Sequence, residues 1–155
     1  MSEVNYKKSI FINAPLEKVY KYVVDPETWS QWDPHVTDVA VPKGDGGVGT
    51  VVEMNYSLFG IKHPNVVEVT EDIFNPEAST WVAKLTGDTS GYYKVTFLPK
   101  DEGTELTFEI SQTIPEKLLA KVISKVVISK ARANATVHCL ENIKAICEEE
   151  YVPVV

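Results

Sequence analysis

The chain is 155 residues long, which suits one domain and is short for two. With 44% hydrophobic and 24% charged residues it can bury a real core, which excludes disordered and fibrous classes. A formal net charge of -7 argues against adhesion to nucleic acid or an anionic membrane, and no apolar run reaches the roughly 18 residues of a membrane span.

The first residues, Met1 to Lys8, are polar and run straight into a strand-like segment, so no signal peptide is expected and a cytoplasmic setting is the default. Residues 6–13 read as a strand with Ile10 and Ile12 on one face. Asn13-Ala14-Pro15 then opens a helix, because proline loses nothing in a first turn where its N–H would be unpaired anyway. Leu16, Val19, Tyr20 and Val23 recur at helical spacing. Asp25-Pro26-Glu27 starts a second short helix carrying Trp29 and Trp32, and Asp33-Pro34 ends it.

From there to residue 113 the period changes to two. Strands are expected at Val36–Val41, Thr50–Leu58, Lys62–Ile73, Thr80–Leu85, Tyr92–Leu98 and Thr104–Thr113. The turns Gly44–Gly47, Asn75–Glu77, Gly87–Gly91 and Pro99–Gly103 separate them into an antiparallel meander. A helix is expected from Pro115 to about Glu150. Its apolar residues run through Leu119, Val122, Ile123 and Val126, then drift to Ala133, Val137, Leu140 and Cys147, as suits a helix curving over a concave sheet. Lys117, Lys121 and Lys125 take the opposite, wet side. Glu148-Glu149-Glu150 reads as a solvated end. Cys139 and Cys147 lie about 12 Å apart along this helix, too far for a disulfide.

The elements make an α+β class: seven strands of a curved antiparallel sheet around one long C-terminal helix, with two short helices after the first strand. A sheet with one apolar face needs a cover, and only the long helix is large enough to supply it. A strongly curved sheet on one helix seldom packs solid throughout. At about 24 cal/mol per Å³, a 300 Å³ void would cost roughly 7 kcal/mol, so a ligand, water or collapse must account for the space.

The run Ser9-Ile10-Phe11-Ile12-Asn13-Ala14-Pro15-Leu16-Glu17-Lys18-Val19-Tyr20, with Asp25-Pro26, Trp29, Trp32 and Pro34 behind it, resembles the opening of START-like (SRPBCC) proteins. That superfamily includes polyketide cyclase/dehydrase-like proteins, pollen-allergen-like carriers and lipid-transfer domains. The resemblance implies a helix-grip fold over residues 1–155 as a single domain. Its residues mark the fold, and no catalytic set can be carried over from them.

Tyr56, His63, Trp81 and Tyr93 fall on the inward phase of four strands and are candidate walls of a pocket, set against the reading of ordinary core aromatics. Gln112 is an inward polar candidate. Val126 and Lys130 are candidates on the long helix, where Lys130 either meets an acidic group of a ligand or snorkels to the edge. Trp29 and Trp32, three apart, read as clamps between helix and sheet. The three histidines and two cysteines have no metal spacing, and no phosphate loop or nucleophile elbow is present, so neither metal nor cofactor is expected.

Three functions compete. The first is binding or transport of a small hydrophobic, lipid- or polyketide-like molecule. The second is a polyketide cyclase or dehydratase, for which His63 with Tyr56 or Tyr93 is the best acid/base pair, but no convincing buried carboxylate is read at an inward position. The third is a protein-interaction module. Polar outward positions such as Glu53, Glu68, Lys84 and Lys94 count against it, although a sheet edge leaves room for a homodimer.

Overall fold

Alternating apolar and polar residues build a seven-stranded sheet in the computed structural model, which describes residues 2–58, 60–114 and 125–150. The chain begins with β1 (Ser2–Ile12), followed by α1 (Leu16–Val24), a 3-10 turn (Pro26–Thr28) and α2 (Trp29–Trp32). Six strands follow: β2 (Val36–Lys43), β3 (Val51–Leu58), β4 (Ile61–Ile73), β5 (Ser79–Gly87), β6 (Ser90–Lys100) and β7 (Gly103–Ile114). The long helix α3 spans Lys125–Glu150. The expected helix start at Pro115, and with it Lys117, Leu119, Lys121, Val122 and Ile123, lies outside the described residues. No helix among the described residues is long and apolar enough to cross a membrane.

The strand order is β1-β7-β6-β5-β4-β3-β2, antiparallel throughout. β1 starts four residues earlier than the alternation predicts, because Ser2 to Asn5 pair with Ser111 to Ile114 of β7. Register shifts in β2 and between Val69 and Glu71 of β4 insert extra residues, which bend and twist a strand and help the sheet curl. The concave face carries Val52, Met54 and Tyr56 of β3, Val67 and Val69 of β4, Trp81 and Leu85 of β5, Phe97 of β6 and Leu106 of β7, all buried.

Helix α1 buries Leu16, Val19, Tyr20 and Val23, the four residues its spacing singles out. Pro15 sits one position before the first helical residue, and its carbonyl accepts from Val19 N at 3.1 Å. Asp25 caps the next turn by accepting from Glu27 N at 3.0 Å.

The buried stripe of α3 differs from the apolar one read in the sequence. It runs Ile128, Arg132, Ala135, Thr136, Cys139, Leu140, Ile143 and Cys147, a regular three- and four-residue spacing. Ala133 and Val137 are only half-buried, and Val126 is 62% exposed. Apolarity alone misplaces the stripe because one of its members is arginine.

The C-terminal half of α3 is tied down at several points. Asn142 Nδ2 donates to Trp32 O at 3.1 Å, and Lys144 Nζ to Phe11 O at 2.8 Å. Glu148 accepts from Asn13 N at 2.9 Å and from Lys144 at 2.5 Å. These bonds draw Glu148 away from the solvated end expected of it, and they hold its carboxyl below the usual range against a desolvation cost.

The tightest close approach at a glycine is at Gly91. Gly91 has φ 146°, and a Cβ there would come within 1.8 Å of the Ser111 carbonyl oxygen. Gly49, with φ 88°, has open space around it. Gly91→Ala is expected to destabilise by about 3 kcal/mol or more, and Gly49→Ala by about 1 kcal/mol. Urea unfolding of both variants checks this, and equal costs would contradict the register that sets Gly91 beside Gln112.

Candidate functional site

Where the middle of α3 crosses β3, β5, β6 and β7, small and polar residues on the helix replace large apolar ones. Ala135, Thr136 and Cys139 leave a partly open cavity of about 70 Å³. Its aromatic walls are Tyr56, Trp81, Tyr93 and Phe108 from the sheet with Trp29 and Trp32 from α2. Trp29 packs edge-on against Trp81 at 5.8 Å, and Trp32 against Phe108 at 5.7 Å. The Trp29 indole donates to Val23 O at 3.0 Å and that of Trp32 to the Thr28 hydroxyl at 3.2 Å. Both tryptophans thus clamp their helix and line the cavity.

The cavity is much smaller than the void imagined from the fold. An empty space of about 70 Å³ costs about 2 kcal/mol, a tolerable defect even for a marginally stable domain. A ligand larger than one small ring needs side chains or the helix to move.

Arg132 is the unexpected member. It is 5% exposed, its Nη1 donates to the Tyr56 hydroxyl, and its guanidinium carbon lies 4.5 Å from the Tyr56 ring centre. His35 stacks on the same ring at 5.4 Å and bonds Ser57 O at 3.0 Å through Nδ1. Burial pulls the Arg132 pKa down, while the nearby Asp33 charge opposes that pull. Arginine nonetheless stays protonated in proteins.

Asp33 follows α2 and lines the same cavity. Its Oδ1 accepts from His35 N at 3.0 Å, and Cys139 lines the same cavity. Desolvation raises the Asp33 pKa, outweighing the His35 bond and the Arg132 charge. Burial, with the Asp33 charge beside it, pushes the Cys139 thiol far up, so it stays a thiol at neutral pH. Burial likewise raises the Tyr93 phenol.

Of the residues singled out by sequence, Tyr56, Trp81 and Tyr93 meet at this cavity. Gln112 stands just behind, with Nε2 donating to the Tyr93 hydroxyl at 3.3 Å. His63 is buried but does not line the cavity. Its Nδ1 lies 3.3 Å from Asp88 Oδ2, at the turn between β5 and β6. Val126 and Lys130 are exposed on α3, because Arg132 takes the inward position two residues after Lys130 and the helix turns roughly 200° between them. The sequence reading also missed Asp33, a carboxylate at the cavity that seemed only to end a helix. Among the described residues no cluster of His, Cys, Asp and Glu is placed to hold a metal.

The family model described as polyketide cyclase / dehydrase and lipid transport matches residues 3–148. No curated protein matches the chain. Among solved structures, the START superfamily protein from Mycobacterium smegmatis is 15% identical with a TM-score of 0.73, covering 94% of this chain and 97% of that one. The Zhui aromatase/cyclase from Streptomyces is 13% identical with a TM-score of 0.70, covering 97% and 96%. A protein of Thermus thermophilus is 23% identical with a TM-score of 0.66, covering 94% and 99%. Likeness at such identities carries the fold alone.

The raised Asp33 titration fixes a sign. The folded carboxyl takes its proton at higher pH than the unfolded one, so between the two values the folded state binds more protons. Its contribution is complete below the ordinary aspartate pKa and is lost as pH rises through the folded one. Urea unfolding between about pH 4 and 8 is expected to show the wild type losing stability relative to Asp33→Asn as pH rises. Identical slopes would contradict the placement of Asp33.

Proposed function

The chain belongs to the polyketide cyclase/dehydrase and lipid transport family, within the START-like (SRPBCC) superfamily, and on that premise we propose that its cavity binds or carries a small hydrophobic molecule. The observation that supports this most is the wall itself: a cavity at the helix–sheet seam lined mainly by aromatic and aliphatic side chains, with a few polar groups among them. Tyr56, Trp81 and Tyr93 are the proposed contacts, with Gln112 acting through the Tyr93 hydroxyl. The ligand is desolvated between the rings and oriented by the polar groups. The net charge of -7 disfavours nucleic acid as a partner, and two buried cysteines too far apart along α3 to bridge each other fit a reducing, cytoplasmic setting.

A second reading, cyclase or dehydratase chemistry in the same cavity, is favoured by Asp33. A carboxyl whose burial favours the protonated form, beside a cavity, is suited to general-acid work.

All three tryptophans of the chain line the cavity, so entry of a ligand must change intrinsic fluorescence. Apolar one- and two-ring compounds are expected to shift that emission and raise Tm, and solvent extraction with mass spectrometry names any co-purified compound. Ala135→Leu, which fills the cavity from the helix side, is expected to abolish the shift while leaving Tm unchanged or higher. Undiminished binding in that variant would contradict the assignment of the site. Conversion of the bound compound by the wild type, lost in Asp33→Asn, would favour the enzyme reading.

A further inference from the structure

Two buried donors at the cavity stand unpartnered among the described residues. Arg132 and Trp81 are each 5% exposed, and among the described residues Arg132 Nε and Trp81 Nε1 have no hydrogen-bond partner. The Tyr93 hydroxyl accepts from Gln112, which leaves its own proton to give. Two of the acceptors at the same wall are engaged. Asp33 Oδ1 takes the His35 N–H, and the Tyr56 oxygen takes Arg132. Thr136 turns its hydroxyl back to the Arg132 carbonyl at 2.9 Å.

A buried donor without a partner forfeits its hydration and recovers nothing, so these groups select for an occupant that accepts. Water answers a neutral indole well enough, but one of the donors belongs to a cation. The two groups whose charge acts on that cation are Asp33 and Cys139, and burial works against the charged form of each.

We infer that the cavity takes a small aromatic or conjugated acid, its anionic oxygens received by Arg132 with Trp81 as a second donor, and its ring by the aromatic walls. This rests on the reading that the cavity binds a small hydrophobic molecule, and it adds the charge and hydrogen-bonding sense of that molecule. A planar guanidinium edge matches a carboxylate or an enolate better than any neutral head.

Calorimetric titration with benzoate, nitrobenzene and ethylbenzene separates the two levels. The three share ring and size, and they carry respectively a charged acceptor, a neutral acceptor and none. The expected order has benzoate binding about tenfold or more tighter than nitrobenzene, the scale of one charge-assisted hydrogen bond. Arg132→Met is expected to erase that preference. Trp81→Phe, which keeps an aromatic ring and removes the N–H, is expected to narrow the ratio of benzoate to ethylbenzene affinity, and it decides the matter if the arginine variant does not fold. Equal binding of all three by the wild type overturns the acid assignment and leaves the cavity reading standing. Binding of none overturns both.

Discussion

A guanidinium buried between helix and sheet governs the middle of this fold. Moving a cation out of water costs several kcal/mol even after relaxation, so it must be met by oxygen, by ring faces or by charge. Arg132 has Tyr56 for the first two and the neighbourhood of Asp33 for the third. A hydrocarbon side chain at the same helical position would let α3 close on the sheet, and such replacements of buried charges are often neutral or stabilising. Stability alone therefore gives little reason for the arginine, and its place at the wall of a cavity gives a better one.

The two halves of the described helix divide the labour. Leu140, Ile143 and Cys147 are each about fully buried, and Asn142, Lys144 and Glu148 pin that half to α2 and to β1 and the residue after it. The preceding turns carry Arg132, Ala135, Thr136 and Cys139, which are too small or too polar to fill the seam, and the cavity lies there. Close-packing at one end thus fixes the helix while loose packing at the other leaves room for an occupant. Because the room is only about 70 Å³, the size of the ligand is coupled to how far the wall can yield.

Most of the fold was legible in the sequence because an antiparallel sheet with one wet face alternates plainly. The phase of Tyr56, Trp81 and Tyr93 follows from that alternation alone. Phase says which face a side chain takes and not how far along the strand the cavity extends, and His63 went astray for that reason, buried beside Asp88 instead. On the helix the error was of another kind. A stripe drawn through apolar residues passes over Arg132 and so slides toward Val126 and Ala133, whereas the spacing of 128, 132, 135, 139 and 143 is regular once an arginine is admitted to it. Asp33 was hidden because the same Asp-Pro pair that ends a helix also sets a carboxyl at the cavity. In each case the residue is polar and wholly or partly buried, the combination that composition argues against and that a binding site requires.

The claim that Arg132 is held at the seam by Tyr56 is open to a double-mutant cycle of Arg132→Met and Tyr56→Phe, read by urea unfolding. The phenylalanine keeps the ring and removes only the oxygen that accepts from the guanidinium. A charge-assisted bond in a buried seam predicts a coupling of about 1.5–3 kcal/mol. Additive single effects, within about 0.5 kcal/mol, would show that the arginine is held by something other than Tyr56 and would contradict this view of the helix–sheet seam.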